Sequence, residues 1–322
     1  MVSSELEPPD GRAGIDAGLV KRLIAAQFPR WRGLDVVPVE VDGWDNRTYR
    51  LGEEMTVRLP TAEGYAPAVA KENTWLPRLA PSLPVAVPPV LAEGEPGEGY
   101  PYPWSVRGWL PGETASYERV DDMARFAADV AGFLHALQRC PTAGGPPAGA
   151  HSFYRGASPA HYDEQTRRCL TRLRGHVDTA RAEAVWEAAL AAEWRGTPVW
   201  FHGDIAHGNL LVDGGKLTAV IDFGTSGVGD PACDLVIAWV LFSGSDGSRE
   251  AFRRAAGAAG AAGTAGTAGH DADTWARARG WALWKAMLVL AQSLERDPAD
   301  ETEAAAQRRV IRDVLDDHDR FG

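Results

Sequence analysis

The chain has 322 residues, of which 45% are hydrophobic and 24% charged, enough for one two-lobed domain or two small ones with a packed core. A formal net charge of −11 argues against nucleic acid or an anionic membrane as partner and agrees with a cationic ligand. There is no run of about eighteen apolar residues to span a membrane. The opening MVSSELEPPDGRAGIDAG lacks the basic-then-apolar pattern of a secretory signal. Cys140, Cys169 and Cys233 make no metal spacing, and their odd number suits free thiols in a reducing cytoplasm.

In chain order, Asp16 caps a predicted amphipathic helix carrying Leu19, Val20, Leu23, Ile24 and Phe28, which Pro29 stops. Strands are expected over Leu34–Val41, Arg47–Leu51 and Met55–Leu59, with turns at Asp42–Asn46 and Gly52–Glu54, an antiparallel meander. Ala66–Leu79 reads as a helix with Val69, Glu72, Trp75 and Leu76 on one face. Glu72 should therefore point inward, Lys71 elsewhere, and Pro77 should kink or end the helix. After the proline-rich Pro81–Pro89, strands are expected at Val90–Glu93 and Trp104–Leu110, and Pro111–Thr114 marks the passage between lobes. The division is an N-terminal lobe of residues 1–110 and a C-terminal lobe of 111–322.

From about residue 113 the pattern turns helical. Asp122–Gln138 places Met123, Phe126, Val130, Phe133, Leu134 and Leu137 on one stripe, with His135 packed among them. Pro141–Gly149 is a loop, and His161–Arg174 and Ala180–Trp194 read as helices. The run Leu235–Phe242 is apolar on every side and predicts a buried helix, whereas the Ala/Gly tract Ala255–Gly269 predicts a mobile surface loop. Trp275, Trp281 and Trp284 fall on a helix starting near Asp273; with Trp239 they offer core packing or a stacking surface for a sugar or base. A last helix, Glu303–Asp317, ends in Asp313, Asp316 and Asp317, read as exposed.

The chemistry is concentrated in WFHGDIAHGNLLVDGGKLTAVIDFGTSGVGDPACDL, residues 200–235. Leu210–Val212 and Leu217–Ile221 flank Asp213-Gly214-Gly215 as a hairpin, which lets Asp204 and Asn209 before it converge with Asp222 after it. Mg²⁺ takes oxygen ligands, typically one or two carboxylates or an amide completed by phosphate and water, and Asp222 with Asn209 suits that need. Asp204, kept off the metal, suits a base that accepts a hydroxyl proton. Asp230-Pro231 reads as a helix N-cap and first turn, and Asp234 as a fastener of the catalytic loop.

His202-Gly203-Asp204, Asn209, Asp222-Phe223-Gly224 and Gly229-Asp230-Pro231 through Asp234-Leu235 resemble the catalytic segment of the aminoglycoside phosphotransferase and choline kinase family. The resemblance implies an α+β, bilobal protein-kinase-like fold with an antiparallel-sheet N-lobe and a mainly helical C-lobe. It implies Asp204 as catalytic base and Asn209 and Asp222 as Mg²⁺ ligands, with His202, Asp230 and Asp234 as support. By the same likeness Gly43–Thr48 covers the phosphates of ATP or GTP, with Asn46 and Thr48 as side-chain donors. Arg58 stands where protein kinases carry lysine, and Glu72 is its partner. Backbone groups about Arg107, Trp109 and Leu110 would meet the base, and Tyr162, Asp163 and Glu164 are candidates for the acceptor pocket. The activity implied is transfer of a γ-phosphoryl group to a hydroxyl of an aminoglycoside or similar antibiotic. A sugar, macrolide, nucleoside antibiotic or amino alcohol is the alternative acceptor, and a non-catalytic nucleotide-binding relative the alternative role.

Overall fold

The computed structural model describes residues 14–322 except 41, 44, 243, 259–269 and 297. These residues divide into two compact units. The first runs to Pro81 and adds Val85–Gly112 and Ala219–Gly224; the second comprises Ser82–Pro84, Glu113–Thr218 and Thr225–Gly322. Among the described residues no helix is long and apolar enough to cross a membrane.

The first unit is built on five antiparallel strands, β1 (Val36–Pro38), β2 (Asn46–Leu51), β3 (Met55–Pro60), β4 (Val90–Gly94) and β5 (Trp104–Gly108), in the order β1-β2-β3-β5-β4. Because successive side chains in a strand point to opposite faces, the sequence sorts this sheet into an apolar side and a polar one. Tyr49, Leu51, Val57, Leu59, Trp104 and Val106 share a core with Leu19, Val20, Leu23 and Ile24 of α1 (Ala17–Gln27). Leu51, Val57, Leu59, Val20 and Leu23 are 0% exposed, and burial of such side chains stabilises by roughly 1.5–3 kcal/mol each. The opposite face carries Asn46, Thr48, Arg58, Ser105 and Arg107, with Thr48 directly across from Arg58 and Arg58 across from Ser105.

Helix α2 (Pro67–Leu79) starts with proline at its first position, where no N–H is needed. It continues through Pro77 to Leu79 rather than stopping there, since a proline in the last turn forfeits a single hydrogen bond. The first strand is shorter than expected: Val41 of the predicted strand and position 44 of the turn lie outside the described residues, and among the described ones pairing continues past Pro38 through the Val39 N–H to Thr48 O at 3.2 Å. The strand expected to reach Leu110 ends at Gly108, and Trp109 then donates its N–H to Glu54 O at 2.7 Å.

A three-stranded sheet is formed by β6 (Glu113–Thr114), β8 (Leu210–Asp213) and β9 (Lys216–Val220) in the order β6-β8-β9, and in the second unit β7 (Val199–Phe201) pairs antiparallel with β10 (Gly227–Gly229). The predicted hairpin is present. Its two central residues, Gly214 at φ 54° and Gly215 at φ 76°, both need the left-handed region, which selects the turn that matches strand twist. Helix α3 (Met123–Gln138) is capped by Asp122, which accepts from Arg125 N at 3.0 Å. Around it lie α4 (Asp163–Arg172), α5 (Thr179–Ala191), α6 (Ile237–Val240), α7 (Ser248–Ala258), α8 (Ala272–Glu295) and α9 (Glu301–Phe321).

Four expectations change here. Leu235–Phe242 is buried as predicted but splits into a 3₁₀ helix, Pro231–Val236, and the short α6. The Ala/Gly tract begins inside α7, and its remainder, 259–269, lies outside the described residues. Trp239, Trp281 and Trp284 are 0%, 2% and 4% exposed and belong to the core, while Trp275 packs edge-on against Trp239 and Phe252. The acidic end of α9 is ion-paired: Asp313 with Arg249, Asp316 with Arg181, and the buried Asp317 with Arg253 and Arg279.

His135, packed as expected, donates or accepts at Ala255 O across 3.2 Å and stacks on His270 with ring centroids 5.9 Å apart. Burial lowers both pKa values, that of His270 to about 4. Between about pH 4 and the ordinary histidine value of 6.5 the unfolded chain thus binds protons that the native state refuses. Stability is therefore fullest above pH 6.5 and falls as the pH drops toward 4. Denaturant midpoints at pH 7.5 and 5 should differ less in His270→Gln than in the wild type; equal differences would contradict the assignment.

Candidate active site

In the first unit, α2 brings Glu72 over the polar face of the sheet. Glu72 is 5% exposed and holds three partners: Arg58 Nη1 at 3.2 Å, Arg107 Nη2 at 3.4 Å and the backbone N–H of Phe223 at 3.1 Å. Arg58 extends its other nitrogen to Asp222 Oδ1 at 3.0 Å. Burial opposes the charge of Arg58, but Glu72 and then Asp222 outweigh it and raise its pKa, so the guanidinium stays charged. Asp222 has φ 64°, a left-handed conformation uncommon outside glycine though more accessible to Asp than to most side chains. Here the Arg58 ion pair and the Phe223–Glu72 bond fix it on both sides. Lys71, expected to point elsewhere, is half-buried within electrostatic reach of this cluster. Burial lowers its pKa, against the pull of Glu72 and Asp222, to about 8.

In the second unit, β7 delivers the chain to His202-Gly203-Asp204. The Asp234 carboxylate accepts from His202 N and Gly203 N, both at 2.7 Å, and His202 Nδ1 accepts from Asp204 N at 3.2 Å. Gly203 sits at φ 86°, and a Cβ there would stand 3.0 Å from Thr225 O, so both conformation and space call for glycine. Asn209 donates through Nδ2 to Asp204 O at 2.8 Å and to Asp204 Oδ2 at 3.1 Å. That orientation turns the amide oxygen of Asn209 away from Asp204, as an oxygen ligand for a cation requires. Among the described residues no three carboxylate, imidazole or thiol groups gather at one point. The Asn209 amide, and in the first unit the Asp222 carboxylate, are each oxygen donors of the kind Mg²⁺ takes.

Asp204 also meets a residue that no motif announces: Lys285 of α8, whose Nζ lies 2.9 Å from Oδ1. Burial pushes the Asp204 pKa up, but the charge and hydrogen bond of Lys285, with help from His202 and Arg155, bring it down to about 2. Asp234, buried within the loop, is pushed up by that burial against its partners. Replacing it with alanine leaves two buried N–H groups unsatisfied, at a cost of roughly 1–3 kcal/mol for each such group. Asp234→Ala should lower the denaturant midpoint and turnover together; unchanged stability would remove Asp234 from the support of the loop.

Asp230 caps Pro231–Val236 through Ala232 N at 3.0 Å, as expected, and also forms a buried ion pair with Arg277 at 2.6 Å. Asn46 and Thr48 share the polar sheet face with Arg58, and Thr48 N donates to Asp42 Oδ1 at 3.0 Å. The side chain of Arg107 is 1% exposed and turned to Glu72. The N–H groups of Gly108 and Trp109 donate to Pro89 O at 2.9 Å and Glu54 O at 2.7 Å. Tyr162 stacks on Trp284 at 4.2 Å. Asp163 is held by Arg167 at 2.9 Å and Trp186 Nε1 at 2.8 Å, and the exposed Glu164 by Arg168.

No curated protein sequence matches the chain. Among solved structures, the GDP complex of wild-type aminoglycoside 2'-phosphotransferase-IIIa superposes with a TM-score of 0.65 at 17% identity, covering 94% of this chain and 99% of the other. ADP-bound aminoglycoside phosphotransferase APH(2'')-Ib gives 0.57 at 17%, covering 92% and 99%. The macrolide 2'-phosphotransferase MphH apoenzyme from Brachybacterium faecium gives 0.54 at 24%, covering 91% and 97%. These likenesses establish the α+β, kinase-like fold expected from the sequence. The model of the phosphotransferase enzyme family (APH) matches residues 35–281, and the chain belongs to that family.

Proposed function

We propose that this phosphotransferase moves the γ-phosphoryl group of ATP or GTP to a hydroxyl of a small antibiotic or related metabolite. Asp204 orients that hydroxyl and takes its proton. With a pKa of about 2 its carboxylate is a weak base. It therefore receives the proton late, as the hydroxyl oxygen binds phosphorus and turns acidic, which agrees with the loose transition state of phosphoryl transfer. Asp222 and the Asn209 amide oxygen would hold Mg²⁺, which when bound neutralises charge on the transferring group. Arg58, fixed by Glu72, together with Asn46 and Thr48 on the same sheet face, would meet the phosphates.

The observation that carries this reading is the preparation of Asp204: one oxygen on Lys285, the other on Asn209, and a backbone fastened by Asp234. A carboxylate that merely capped a turn would need none of that apparatus. The test mixes the protein with nucleoside triphosphate, Mg²⁺ and a panel of hydroxylated antibiotics and sugars. Diphosphate release that depends on the acceptor is expected, and its absence across the panel, with no acceptor-induced rise in melting temperature, would overturn the proposal.

A further inference from the structure

Two cations, Lys285 and Arg155, stand about Asp204 within the second unit. Lys285 lies on Asp204 at 2.9 Å. The neighbouring Trp284 stacks on Tyr162, and the Arg155 guanidinium lies over the Trp284 ring at 4.6 Å and 5.9 Å from the Tyr162 ring. The buried Trp284 is tied by Nε1 to Gln165 Oε1 at 2.6 Å, which fixes the ring that Arg155 lies over. Arg155 also acts electrostatically on Asp204. One carboxylate thus faces two cations. The carboxylates that would offset them are engaged: Asp163 by Arg167 and Trp186, Glu164 by Arg168, Asp230 by Arg277, and Asp234 by the loop backbone. The negative charge of the chain therefore says nothing about this surface.

We propose that Lys285 and Arg155 select the acceptor by charge, so that the natural acceptor is a hydroxylated compound with no more than one positive charge and a polycationic amino sugar is disfavoured. The proposal rests on the phosphotransfer reading, because it takes Asp204 as the group the hydroxyl must reach. A hydroxyl donating to Asp204 comes to lie beside the Lys285 ammonium. Each further ammonium on the acceptor then meets like charge at close range. Lys285 is a positioning and selecting residue, since it acts on the acceptor and through Asp204.

The experiment compares kcat/KM for kanamycin, its fully N-acetylated derivative, erythromycin and chloramphenicol, which differ in the number of amines available for protonation. In the wild type the best acceptor with at most one positive charge should exceed kanamycin by at least about tenfold, the scale of a like-charge contact. Lys285→Met should shrink that ratio, chiefly through the KM of kanamycin rather than through kcat. Lys285→Arg should keep it. Kanamycin as the best acceptor, or Lys285→Met with the ratio unmoved, would overturn charge selection alone. No acceptor-dependent turnover of any member would instead overturn the phosphotransfer reading, and this proposal with it.

Discussion

Asp204→Asn is expected to lose at least about a hundredfold in turnover while binding nucleotide as the wild type does, the usual scale for removing a general base. The substitution keeps the shape of the side chain, so Asn209 and the backbone fastened by Asp234 keep their places. What it removes is the charge that Lys285 pairs with and the oxygen that receives the proton. Because the low pKa of Asp204 makes proton transfer late, much of the loss should reflect the hydroxyl no longer being aimed, and it should appear in kcat more than in the nucleotide KM. Retention of more than about a tenth of wild-type turnover would be inconsistent with a general base at this position.

Glu72→Ala is expected to cost about 3–5 kcal/mol of stability, the range for breaking a buried ion pair by removing one partner. Glu72 is the common partner of Arg58 and Arg107, and Arg107 is 1% exposed, so its guanidinium would be left in the interior with Ser105 Oγ at 3.2 Å. Burial already lowers the Arg107 pKa, with Glu72 as the leading influence raising it back. The same change frees Arg58 on one side and releases the Phe223 N–H beside the left-handed Asp222. Urea denaturation should show the loss, and nucleotide binding should weaken with it. A loss under about 1 kcal/mol would mean that the site tolerates an unpaired buried arginine, against the usual cost.

Much of this was legible because it is local. The hairpin announced itself through two apolar runs around Asp213-Gly214-Gly215, and the inward turn of Glu72 through helical spacing with Val69 and Leu76. The motif offered Asp204, Asn209 and Asp222 as candidates, and the fold places Asn209 in hydrogen-bond contact with Asp204. What escaped is set by distance along the chain. Lys285 reaches Asp204 across 81 residues and Arg277 reaches Asp230 across 47, from a helix whose sequence reads only as apolar and Trp-rich. Glu113–Thr114 is too short to show a strand period and gains its pairing from Val212 and Leu211. Asp313 and Asp317 looked exposed because their partners, Arg249, Arg253 and Arg279, lie on other helices. The tryptophans of α8 were ambiguous for a related reason: one spacing serves a core and a stacking surface equally, and only burial separates them.

The central claim, that Asp222 and Asn209 supply oxygens to one magnesium while Asp204 stays free for the hydroxyl, is tested most directly by a crystal structure with Mg²⁺ and a non-hydrolysable nucleoside triphosphate. The expected result is one ion about 2.1 Å from an Asp222 oxygen and from Asn209 Oδ1, with Asp204 outside its coordination shell. An ion bound by Asp204, or one that leaves either Asp222 or Asn209 unligated, would contradict it.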